Sequence, residues 1–214
     1  MDKLRKLTAR LRLYIWWLYS SKVDDPFLRS LAEEAARIVG VRPFKNIRLC
    51  RSLNIANAAV VGFRCRSLVV TQLLLELLSP EELRAVFLHE YSHCKLRHQL
   101  KLLSITLSVF LGLSLSVILV TLNIANELLS IGVSVALILA SYIATCLISR
   151  GVAKRFELEA DCLAVSKLGN PEIYIGILKK MRAVNGEVSG LRLLLAPHPP
   201  TSTRIAHALL CASR

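Results

Sequence analysis

The most chemically informative stretch of this 214-residue chain is His89-Glu90-Tyr91-Ser92-His93. A helix turns about 100° per residue, so two imidazoles four positions apart project from one face and can share a metal ion, with the intervening Glu90 carboxylate close by. Two neutral imidazoles suit zinc, and a neighbouring carboxylate suits proton transfer to and from a metal-activated water. The chain holds only five histidines, so two at ligand spacing around a glutamate stand out. A surface helix with scattered polar residues is the bland alternative.

Catalytic zinc takes three protein ligands and keeps a fourth position for water, so a third ligand is required. A metzincin needs Gly at position 96 and His at position 99, where this chain has Leu96 and Gln99. A glutamate about twenty residues downstream would fall in an apolar run that has no carboxylate. Further on, Glu157, Glu159 and Asp161 form a dense group. On a helix Glu157 and Asp161 share a face while Glu159 points about 200° from Glu157. Glu157 is therefore expected on the metal, with Asp161 orienting a ligand histidine.

The elements that must position these groups are also marked. Ser79-Pro80-Glu81-Glu82 starts the helix carrying the histidines, with Ser79 and Glu82 as the halves of a capping box and Pro80 at the first helical position. Upstream, Asp25-Pro26 caps a helix with Leu28, Leu31, Ala32, Ala35 and Ile38 on one side, stopped by Gly40. Short β-branched segments at 47–50, 58–61 and 67–71 predict a small sheet.

Two uncharged runs, 102–122 and 128–149, flank the short polar stretch 123–127. A 21-residue helix spans about 31 Å and matches a bilayer core of roughly 30 Å, so the runs read as a transmembrane hairpin. A pair of buried core helices is the alternative. Lys95, Arg97 and Lys101 precede the hairpin and Arg150, Lys154 and Arg155 follow it, whereas its turn carries only Glu127. The positive-inside rule puts both outer ends in the cytoplasm. The apolar face of residues 4–18, with Lys6, Arg10 and Arg12 off it, reads as an interfacial helix lying on the membrane.

A mean hydropathy of +0.50 and 54% hydrophobic residues support membrane segments joined to a smaller domain. The net charge of +13 suits an anionic lipid surface. No basic repeat interleaved with aromatics points to nucleic acid. Six cysteines without paired spacing read as reduced thiols in a cytoplasmic setting.

With these motifs in hand the chain resembles the HtpX-type membrane zinc metalloproteases, in the peptidase family that also contains the CAAX prenyl proteases. The resemblance rests on Asn57-Ala58-Ala59-Val60, Val69-Val70-Thr71, Leu78-Ser79-Pro80-Glu81-Glu82-Leu83, His89-Glu90-x-x-His93, Glu157-x-x-Ala160-Asp161, His198-Pro199-Pro200 and Arg204-Ile205. Ala59 stands where Phe is common and Ser92 where Gly is common. HtpX-type members usually begin with two further transmembrane helices. The resemblance implies one zinc per chain on His89, His93 and Glu157, Glu90 as catalytic base, and Asp161 beside the ligands.

The fold class expected is α+β and mainly helical: a gluzincin-like zinc metallopeptidase domain with a small β-sheet, interrupted by a two-helix transmembrane hairpin. Its parts are residues 1–22 (interfacial helix), 23–101 (first catalytic part), 102–149 (hairpin) and 150–214 (second catalytic part). The activity expected is zinc endopeptidase action on membrane proteins or misfolded polypeptides at the cytoplasmic face of the cell membrane. Asn57, His198 and Arg204 are candidates for substrate or oxyanion contacts, and the strand 57–61 for pairing with an extended substrate. The competing class is a membrane scaffold or chaperone-like binder with structural zinc, for which His98, His198 or Cys94 would have to close the fourth position. A CAAX-type prenyl protease would need a larger membrane domain.

Overall fold

A computed structural model of the chain describes residues 18–62, 65–188 and 190–213. The chain order is β1 (Ser20–Val23), α1 (Pro26–Val39), β2 (Asn46–Cys50), β3 (Ala58–Val61), β4 (Ser67–Thr71), α2 (Gln72–Leu77), α3 (Pro80–Lys95), α4 (His98–Thr121), α5 (Glu127–Leu168), α6 (Pro171–Asn185), α7 (Arg192–Leu195) and α8 (Thr201–Ala212). This is the mainly helical α+β architecture expected. Residues 1–17, most of the expected interfacial helix, lie outside the described residues.

The helix starts follow the local chemistry. Asp25 Oδ1 accepts the N–H groups of Phe27 and Leu28 at 2.9 and 3.1 Å, and Gly40 ends α1 at φ 74 with its N–H on Ala36 O. Ser79 Oγ accepts the Glu82 N–H while the Glu82 carboxylate accepts the Ser79 N–H, so the capping box that begins α3 is complete. From Ala85 through Ser92 every residue of α3 is buried, because the helix lies between α1 on one side and α5 on the other. Tyr91 anchors it, stacking on Phe44 at 4.0 Å and accepting the Phe44 N–H at 2.9 Å.

The sheet has order β1-β2-β4-β3, with β2 and β4 parallel and both outer pairs antiparallel. β3 is therefore an edge strand, in register with β4 through Ala58↔Val70 and Val60↔Leu68. One strand was not expected. Ser20–Val23 pairs with β2, so the segment assigned to 1–22 as a helix ends in a strand. Ser-Ser-Lys-Val has no β-branched run, and its pairing with Asn46–Cys50 decides its conformation.

Both apolar helices stand clear of the core. Only 6% of the most apolar window of α4, and 6% of that of α5, is buried, so neither is a soluble core helix. Leu107, Leu111, Leu115, Ile138 and Leu139 are more than half exposed, as lipid-facing side chains would be. Within the hairpin Thr106 Oγ1 meets Ser149 Oγ at 2.8 Å, a polar tie between helices that share little other driving force in lipid. α5 does not stop at the end of its apolar run. It continues unbroken for 42 residues, about 63 Å, and carries Glu157 and Asp161 on its polar extension.

The cysteines correct the sequence reading. Cys65 is bonded to Cys94 and Cys162 to Cys211, leaving Cys50 and Cys146 as free thiols. The pairs are 29 and 49 residues apart and come together only through packing.

Candidate metal centre

α3 presents His89 and His93 to the same point, and the extension of α5 crosses opposite them. His89 Nε2 and His93 Nε2 are 3.1 Å apart, with Glu157 Oε2 3.7 Å from the first and Oε1 3.4 Å from the second. Donors at zinc bond lengths of about 2.0–2.1 Å in a tetrahedron lie about 3.3–3.4 Å from one another. The observed spacings bracket that value, so these three side chains fit the metal that their types suggest. Among the described residues they form the group able to hold an ion, with ligand atoms all within 4.8 Å.

The outward sides of these three side chains are also held. His89 Nδ1 lies 3.0 Å from Asp161 Oδ1 and 2.9 Å from the Tyr174 hydroxyl. Tyr174 donates to Asp161 Oδ1 at 2.6 Å. Arg204 Nε and Nη2 donate to the two Asp161 oxygens at 2.8 and 2.6 Å. His198 Nδ1 meets Glu157 Oε2 at 2.7 Å.

These contacts set the charge of the site. Burial would push the Glu157 carboxyl up, but His198 and His93 hold it well below the usual carboxylate range. Burial opposes ionisation of Asp161 too, and Arg204 and His89 overcome it, so this carboxylate stays charged at 0% exposure. Burial, with the Asp161 charge beside it, drives the Tyr174 hydroxyl well above its ordinary value and keeps it a neutral donor. A buried pair of carboxylates facing neutral-capable imidazoles is an environment for a cation.

Glu90 is 7% exposed, and its Oε2 accepts the Val60 N–H at 3.0 Å. Glu90 is thereby tied to the edge strand. Both N–H groups on the outer edge of β3 are engaged, Val60 by Glu90 and Ala58 by Asn57 Oδ1, and Val60 O accepts from Gln99 Nε2 at 2.9 Å. An extended substrate laid on β3 meets these partners first. Asn57 sits at the start of the strand with its backbone oxygen on Thr71 and its carboxamide turned to Ala58. Arg204 is 13% exposed and spends its fork on Asp161, behind the ligands, whereas the His198 side chain is 44% exposed.

The described chain matches the sequence profile of peptidase family M48 over residues 23–210. The chain belongs to peptidase family M48. Among solved structures, the crystal structure of S. mikatae Ste24p matches with a TM-score of 0.64 at 18% identity, over 92% of this chain and 53% of the Ste24p chain. That similarity is one of fold, and this chain spans about half the length of Ste24p. A search of curated proteins found no match. The family match thus falls on a chain that also carries two exposed apolar helices long enough to cross a membrane.

The structural-zinc alternative loses two of its three proposed closing ligands and keeps His198, whose Nδ1 lies 2.7 Å from Glu157 Oε2. Cys94 is bonded to Cys65, and His98 meets the Nδ1 of His93, the nitrogen turned away from the cluster. Sequence reasoning missed Tyr174, which lies in an apolar stretch of α6 with no motif around it, and it read Glu159 only as pointing away from Glu157. Glu159 Oε2 lies 3.2 Å from His98 Nε2.

Proposed function

We propose that the protein is a zinc metalloendopeptidase that hydrolyses peptide bonds of membrane or misfolded polypeptides, with Glu90 as general base. The observation that carries this reading is the convergence of His89 Nε2, His93 Nε2 and Glu157 at tetrahedral spacing from two helices that lead into and out of the hairpin. Zinc held there would lower the pKa of a bound water to about 7 and polarise the substrate carbonyl.

The residues of the chain do the rest. Glu90 has one oxygen fixed by the Val60 N–H, leaving the other to take the proton of the attacking water and pass it to the leaving amine. Asp161 and Tyr174 hold His89 with its Nε2 lone pair toward the cluster. His198, half-exposed beside Glu157, is the better placed of the two oxyanion candidates, since Arg204 is committed to Asp161. Asn57 positions the edge strand through its own backbone and carboxamide contacts.

The flanking charges support a site facing the cytoplasm, where loops and tails of membrane proteins are within reach. Disulfides on that same side are rare in the cytosol outside hyperthermophiles. The charges act during insertion and so bear more directly on orientation. Protease protection in sealed vesicles tests it: the 123–126 turn should be cleaved from the outside and the metal-site domain protected, and the reverse would place the site outside the cell.

The activity is tested on purified chain in detergent with a casein-like substrate. Glu90→Gln should keep zinc and lose proteolysis, and equal activity in the variant would remove Glu90 as the base. Glu157→Ala should lower bound zinc, and unchanged stoichiometry would remove it as a ligand.

A further inference from the structure

Two residues, Leu96 and Arg97, separate α3 from α4, and the second has an unusual conformation. Arg97 has φ 57, a left-handed backbone that is strained for a non-glycine residue and persists where the surroundings require it. The break turns His98, the first residue of α4, back under α3. His98 is 3% exposed. Its ring lies parallel to Phe156 of α5, 3° between planes and 4.4 Å between centroids. Its Nδ1 is 3.0 Å from His93 Nδ1 and its Nε2 is 3.2 Å from Glu159 Oε2.

Two facing Nδ1 atoms can bond only if one ring carries the proton there and the other does not. His93 Nε2 faces His89 Nε2 and Glu157, so its lone pair is needed at that nitrogen and its proton belongs on Nδ1. His98 Nδ1 then accepts, which leaves the His98 proton on Nε2, opposite the Glu159 carboxylate. This is the arrangement of neutral rings that satisfies every contact and leaves His93 free to ligate. The opposite arrangement puts a proton on His93 Nε2 and blocks it.

We infer that His98 is a positioning residue which, with Glu159, locks His93 in its metal-binding tautomer through a carboxylate–imidazole–imidazole chain. The two ligand histidines are thus supported differently. His89 contacts buried Asp161 directly, and His93 reaches the half-exposed Glu159 through a second imidazole. The chain runs between the first residue of α4 and the extension of α5, so it joins the metal site to both helices of the hairpin.

The inference rests on the metal-site reading, and the test separates the two. Full-length protein in detergent is stripped of metal, then titrated with Zn²⁺ against a chromophoric chelator and, separately, loaded with Co²⁺ for its visible absorption. His98→Phe keeps the stack on Phe156 and removes both nitrogens. It should bind zinc about 10- to 100-fold more weakly and change the Co²⁺ bands. His98→Gln can accept from His93 and donate to Glu159, and it should recover most of the affinity. Glu159→Ala alters a half-exposed residue and serves if His98→Phe does not fold; it should weaken zinc by about 3-fold or more. Folded His98→Phe or Glu159→Ala protein with wild-type zinc affinity and wild-type Co²⁺ bands would overturn the role of His98. Wild type that binds no zinc would overturn the metal site itself.

Discussion

Arg204 grips both oxygens of Asp161, Nε on Oδ2 at 2.8 Å and Nη2 on Oδ1 at 2.6 Å, and Asp161 in turn contacts the Nδ1 of His89. An arginine from α8 therefore reaches the candidate metal cluster through one fully buried carboxylate. Removing it leaves an uncompensated buried charge. Arg204→Ala should destabilise the protein by about 3–5 kcal/mol, and Arg204→Lys should recover only part of this because an ammonium lacks the planar fork. Chemical denaturation in detergent measures both, and a change under about 1 kcal/mol in the alanine variant would refute the account.

The same pair predicts how stability depends on pH. The Asp161 carboxyl is held well below its unfolded value of about 3.9. Its contribution is present above that unfolded value and is lost as pH falls through the depressed folded one. In metal-free protein, the stability gap between wild type and Asp161→Asn should be full at neutral pH and shrink below about pH 4. A gap that widened on acidification would have the wrong sign.

His198 and Arg204 differ in what their loss should do to catalysis. His198→Ala should lower kcat about 100-fold with KM little changed, as expected for a donor felt mainly in the transition state. Steady-state kinetics with parallel metal analysis checks this, since a fall explained by zinc loss alone would assign His198 to supporting Glu157 instead.

The disulfides are countable. Unreduced, denatured protein should expose two reactive thiols, Cys50 and Cys146, and six after reduction. On the chain-entropy account, bridges spanning 29 and 49 residues contribute about 3.6 and about 4 kcal/mol. Reduction should therefore lower the melting temperature, and six reactive thiols in unreduced protein would exclude both bonds. Each bridge leaves from the residue after a site residue, Cys94 after His93 and Cys162 after Asp161, so reduction should also loosen zinc.

Leu111 is 56% exposed in the middle of α4. An arginine there faces hydrocarbon and costs about 2.5–3.5 kcal/mol of insertion free energy at the helix centre. Leu111→Arg should reduce the carbonate-resistant membrane fraction, and unchanged fractionation would argue against α4 as a span.

Several elements could be read from local sequence because their causes are local. The capping box at Ser79, the cap at Asp25, the stop at Gly40 and the two uncharged runs each depend on residues within a few positions, and all appear in the fold. The positions of His89, His93 and Glu157 were legible because helical spacing and the need for a third ligand narrow the choice, and packing brings the three to one point. What only the tertiary structure decided depends on distant partners or on a break in regularity. Ser20–Val23 is a strand because β2 offers it an edge, and the cysteines pair across 29 and 49 residues with no spacing to announce it. His98 shows the reason most clearly. On an uninterrupted helix, five residues would rotate it about 140° away from His93. One left-handed residue, Arg97, cancels that rotation and brings the two rings within hydrogen-bond distance.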